Sequence, residues 1–166
     1  MNRVEDRART HALGRGLLAG AAGTIALDVV TYADMALRGR PSSETPATVV
    51  GILADKLGLA AVGTTAKDEM SSNRRSGLGA LMGYATGLAV GTVYGLIQAR
   101  RDGVSLPLAG EAHGLAAMAA SDVPIAATGA GDPRTWGVSG WAADAIPHLA
   151  YGLATVAAYK ALSGRS

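Results

Sequence analysis

The chain has 166 residues, room for one domain, and carries 34 alanines and 23 glycines but no cysteine and no phenylalanine. Charged residues are 17% of it, against roughly 25% in an ordinary soluble domain. The missing cysteines exclude a disulfide scaffold, a thiolate metal site and a cysteine nucleophile. A net charge of +2 with no basic, aromatic-studded stripe argues against nucleic acid as a partner. What remains is an alanine-rich helical bundle, either soluble or in a membrane.

Residues 12–37 are the first long apolar stretch, interrupted by Asp28 and Asp34. Arg3, Arg7, Arg9 and Arg15 come before or early in it, and no convincing cleavage site follows. It reads as a retained first span with a cytoplasmic N-terminus. Residues 45–62 mix Val49, Val50, Ile52, Leu53, Leu57 and Leu59 with Asp55 and Lys56. They are too short and too interrupted to span, and read as an amphipathic helix at the interface, with a re-entrant or fifth spanning segment as the alternative. Residues 63–76 read as a polar loop.

Residues 77–99 carry no charge and are bounded by Arg74–Arg75 and Arg100–Arg101. About 20 apolar residues cross a bilayer core of roughly 30 Å, so this is the clearest span. Residues 106–128 and 141–162 have the length of spans but hold Glu111, His113 and Asp122, and Asp144, His148 and Lys160, respectively. Acids facing lipid are costly, so these side chains are expected to face the bundle interior. The fold expected is all-α: four transmembrane helices and one short interfacial helix.

Within the second span Gly79, Gly83, Gly87, Gly91 and Gly95 recur every four residues. They form one helix stripe without side chains, where another backbone can approach closely. The first span carries Gly16 and Gly20, continued by Thr24 and Asp28, and the third carries Gly110 and Gly114. Packing within one chain and self-association into a homo-oligomer both use such stripes.

The second pattern is the set of polar groups at membrane depth: Asp28 with Tyr32 one turn later, Glu111, His113 and Asp122, and the i, i+4 pair Asp144 and His148. Pro147 beside this pair removes a helix hydrogen bond and frees a carbonyl. Three roles fit. The cluster fixes helix register, carries protons or cations, or holds a divalent metal through residues such as Glu111, Asp144 and His148. No HExxH or ExxH repeat is present, so no cofactor is expected and a metal is the weakest reading. Ser121 beside Asp122 has no nucleophile-elbow motif around it. Trp136 and Trp141, flanking the fourth span after an Asp132–Pro133 turn, have the placement of interface anchors.

The block Asp144, His148, Leu149 and Tyr151 after a tryptophan-containing loop resembles the YagU-like family of bacterial inner-membrane proteins. The glycine-rich first span (GLLAGAAGTIALDVV) and the small-residue third span look similar as well. The chain departs from that pattern in the short segment between its first two spans and in Pro147 directly before the histidine. The resemblance implies a multi-pass inner-membrane protein and transfers no catalytic residue. The leading expectation is a non-enzymatic membrane protein with an interaction or envelope-support role. A proton or cation transporter is the alternative, and a metal-dependent membrane enzyme the second.

Overall fold

The computed structural model describes residues 3–98 and 105–164, and among them it is all helical: five α-helices, one 3₁₀ turn and no strand. The helices are α1 (Arg3–Arg38), α2 (Thr45–Lys56), α3 (Glu69–Gln98), α4 (Leu106–Thr128) and α5 (Gly137–Ser163), with the 3₁₀ turn at Pro133–Thr135. The expected basic flank at Arg100–Arg101, and Ala99 before it, lie outside the described residues.

Two boundaries differ from the sequence reading, each for a local reason. The interfacial segment expected over 45–62 is helical only to Lys56. Gly58 then takes a left-handed φ of +72°, and the Leu59 N–H turns back to the Ala54 carbonyl at 2.8 Å. That 6→1 closure stops a helix. The polar loop expected over 63–76 is half helix, because α3 starts at Glu69. Asp68 caps it, accepting from the Ser71 N–H at 2.9 Å and the Ser71 hydroxyl at 2.7 Å. Arg75 then holds the remaining loop by donating to the carbonyls of Gly63 and Ala66 at 2.9 and 3.0 Å. Asp55 closes the other side, accepting from the Thr64 hydroxyl and N–H. These bonds hold the Asp55 and Asp68 carboxyls below the ordinary value of 3.8.

The four long helices run alternately up and down. α1 packs between α3 and α5, α5 packs on α4, and α3 and α4 touch only sparsely. α2 covers one end of α3 and α4. At that end Asp34 pairs with Arg38 at 2.6 Å and with Arg40, while Arg38 reaches Ser139 at the start of α5 at 2.9 Å.

Glycine makes the α1–α3 contact. A Cβ on Gly16 would sit 2.9 Å from the Cα of Thr92, and one on Gly95 would sit 2.7 Å from the Cα of Gly16. One on Gly91 would strike the Gly20 backbone, so the two helices meet backbone to backbone. Gly79 is taken up by Pro46 and Ala47 of α2, and Gly87 by Thr24. Gly83 alone of the row has open space around it. On the α4–α5 side, Gly110 sits against Leu153, Gly114 against His148 and Leu149, and Gly152 against both glycines.

The interior is made of small residues and tyrosine, and the large aliphatic residues point outward. Tyr151 and Val156 are fully buried, whereas Leu18, Ile25, Val29, Leu81, Leu115, Val123 and Ile146 are all more than half exposed. α1 (from Arg9) and α3 are long and apolar enough to cross a membrane. α4 and α5 have the length, but their acids and imidazoles lower their hydropathy.

A carboxylate–imidazole group beside an interhelical cavity

The residues singled out in the sequence fall into three places. The first is a cluster where α4 meets α5. His148 Nδ1 lies 2.8 Å from the Asp144 carbonyl oxygen and 3.3 Å from Asp144 Oδ1. A carbonyl only accepts, so Nδ1 carries the proton. The opposite ring nitrogen, Nε2, lies 3.2 Å from Ser121 Oγ. Asp122, next along α4, places its carboxyl against Asp144 and His148. One oxygen of each acid, Asp122 Oδ1 and Asp144 Oδ2, is buried without a hydrogen-bond donor.

This arrangement can move a proton. Ser121 Oγ also lies 2.8 Å from the Met118 carbonyl. When His148 is neutral, Nε2 accepts the serine proton. When it is doubly protonated, Nε2 donates to Ser121 Oγ and the hydroxyl turns to Met118. Both protonation states are thus hydrogen-bonded. Neighbouring carboxyls repel each other, and a proton or the imidazolium of His148 would relieve that repulsion. Nucleophilic use of Ser121 is less well served: it sits inside α4, where the backbone N–H groups are spent on the helix and form no oxyanion site.

The second place is an aromatic layer. His113 is buried, with its ring 4.5 Å from Tyr94 and stacked 5.5 Å from Tyr151; Tyr94 meets Tyr159 edge-on at 5.4 Å. Tyr151 donates to the Gly87 carbonyl at 2.6 Å and Tyr159 to the Gly95 carbonyl at 3.1 Å. Both pairs are 64 residues apart in sequence, so two tyrosines eight residues apart on α5 read two glycines eight apart on α3. The sequence reading grouped His113 with the acids. The structure puts it among tyrosines instead, with its Nε2 unpartnered. The available signal was a matched spacing of eight, between Tyr151 and Tyr159 on α5 and between Gly87 and Gly95 on α3.

The third place is a cavity of about 320 Å³ where α3 and α4 diverge, lined by all five helices. Ser121, His148 and Tyr151 form part of one wall, and Asp28, Tyr32 and Tyr84 part of the other. The Tyr84 hydroxyl donates to Asp28 at 3.0 Å, and Tyr32 is mostly exposed. Asp28 thus shares a cavity with His148 without touching it. Glu111 does not join them. It is exposed and lies about 16 Å along α4 from Asp122, at 1.5 Å per residue. The proposed metal set of Glu111, Asp144 and His148 therefore does not converge, and among the described residues no three or more acids and histidines are arranged around an ion. Trp136 and Trp141 pack on each other, ring centres 5.3 Å apart, at the turn into α5.

No protein-family model, curated protein or solved structure matches this chain.

Proposed function

We propose that the chain is a four-span inner-membrane protein whose Asp122–Asp144–His148–Ser121 group passes protons, or cations in exchange for them, by way of the cavity beside it. The observation that carries this reading is the imidazole of His148, held by Asp144 on one side and by a reorienting hydroxyl at the cavity wall on the other. Ionisable groups inside a membrane are costly to keep and mark ion or proton pathways. The outward leucines, isoleucines and valines support the membrane setting, because soluble monomers rarely expose so much apolar surface. They extend over α4 and α5 as well, at Leu108, Leu115, Val123 and Ile146, which supports four spans. The likeness to YagU-like inner-membrane proteins rests on the Asp144, His148, Leu149 and Tyr151 block and agrees with this setting.

Packing also bears on the non-enzymatic interaction role and on homo-oligomers. Four of the five glycines of the α3 row are occupied within the chain, leaving Gly83 open. The row therefore serves intrachain packing first, and a second copy finds little of it free.

The test is a proton-flux assay in liposomes carrying the full chain. The reading predicts flux above that of empty liposomes, falling to that baseline in Asp144→Asn and in His148→Ala. Wild-type flux no greater than the baseline sinks it, and so does unchanged flux in both variants.

A further inference from the structure

The cavity has a chemistry of its own on the wall away from His148. It is predominantly apolar, lined by residues such as Leu27, Val90 and Ile125, and it is partly open where α3 and α4 part. Gly83 lines it and leaves open space: a Cβ there would meet nothing within 4 Å. About 320 Å³ is the lower end of the range for small-molecule sites, which are mostly apolar with a few placed polar groups. Here the placed groups are acidic and aromatic. The Asp28 carboxylate is fixed by the Tyr84 hydroxyl at 3.0 Å, and the rings of Tyr84 and Tyr32 line the same wall. Among the described residues no lysine or arginine lines the cavity.

From this we infer that the cavity is a binding site for an amphiphilic amine, its ammonium at Asp28 beside Tyr32 and Tyr84 and its hydrocarbon body along the Gly83 slot. Charge decides between amphiphiles. At Asp28 a fatty acid or a phosphate-bearing lipid would set its anion against a carboxylate, and the cavity's one imidazole, His148, is engaged on the opposite wall by Asp144 and Ser121. An ammonium meets the carboxylate directly, with two tyrosine rings lining the same wall as further partners. The hydrocarbon body gains by leaving water in proportion to its area. The inference rests on the transport reading in one respect: it makes the amine the cargo or ligand that shares the cavity with the carboxylate–imidazole group.

The test is equilibrium dialysis of radiolabelled octylamine against the detergent-solubilised full chain, with protein-free detergent as baseline and octanol and octanoate as competitors. The inference expects saturable binding, weak competition by octanol and none by octanoate. Asp28→Asn should weaken binding at least tenfold, Gly83→Leu should abolish it by filling the slot, and Asp144→Asn should retain it. Thermal unfolding checks that each variant is folded. If Gly83→Leu is not, Asp28→Asn decides alone. Equal displacement by octanoate, or unaltered binding in Asp28→Asn, overturns the inference. Binding does not require flux, so the two ideas fail separately. Octylamine bound by a chain that passes no protons leaves the site standing and removes the transport reading. Flux without octylamine binding does the reverse.

Discussion

At the scale of single residues, Tyr159 and Tyr151 show how a helix interior without large aliphatic residues is held together. Each buried hydroxyl needs a partner, and each takes the carbonyl of a glycine that has no side chain to block the approach. A carbonyl already used by its own helix has a second lone pair to offer. Tyr159→Phe keeps the ring contact with Tyr94 and removes only this bond. We expect a loss of about 0.6–1 kcal/mol, the size measured for hydrogen bonds between membrane helices and in proteins generally, read as a shift in unfolding midpoint. Ser121→Ala should slow proton flux, because His148 Nε2 loses its hydroxyl partner at the cavity wall. Unaltered flux in Ser121→Ala would place the serine outside the path. The exposed Asp68 cap gives a pH dependence. Its folded value lies below 3.8, so the native state binds its proton less readily than the unfolded chain does. The stability from this cap is therefore full above about pH 4 and is lost as pH falls through the folded value. In an acid titration of unfolding, wild type should exceed Asp68→Ala at neutral pH, and the gap should close on acidification.

At the scale of elements, the glycine row fixes which helices can touch. α1 and α3 approach so closely that Gly91→Ala forces two backbones apart, whereas Gly83→Ala adds a methyl to open space. Overpacking of this kind costs roughly 1–3 kcal/mol. Unfolding of the two variants side by side should show that loss for Gly91→Ala and little change for Gly83→Ala. A similar loss in both would mean that Gly83 is covered by something this chain does not supply. The five-fold repeat was legible in the sequence because period four is the helix's own face. Its partner was legible in part, since Gly16 and Gly20 lie in a matching row. The helix ends were less so. Gly58 and the Asp68–Ser71 cap are single-residue signals, easily outweighed by the apolar run before one and the polar run around the other. The site divided in the same way. Asp144 and His148 are one helical turn apart and could be paired from spacing alone. Ser121 and Asp122 come from another helix, and the close approaches at Gly110, Gly114 and Gly152 set the register that brings them there. Glu111 and Asp122 share a direction on an ideal helix, yet the packing of α5 covers one and leaves the other exposed. Periodicity describes a face, not what that face meets.

At the scale of the molecule, the distribution of size and polarity is inverted relative to a water-soluble domain. Glycine, alanine and tyrosine with Val49 and Val156 fill the middle, many leucines, isoleucines and other valines are exposed on the outside, and one oxygen each of Asp122 and Asp144 is kept within. That inversion is the physical content of the alanine- and glycine-rich composition. In the proposed membrane setting small residues are needed, because lipid supplies no hydrophobic drive between helices and close contact holds them together. The most direct test of this account is membrane topology, and a chain without native cysteine suits it. Single cysteines at Ser42, Ser105, Thr135 and Ser163 would be labelled with an impermeant thiol reagent in sealed inverted and right-side-out membrane vesicles. Four spans predict that positions 42 and 135 react from one side and positions 105 and 163 from the other. If position 135 instead reacts from the same side as 105 and 163, only α1 and α3 cross, and the carboxylate–imidazole group of α4 and α5 lies outside the bilayer.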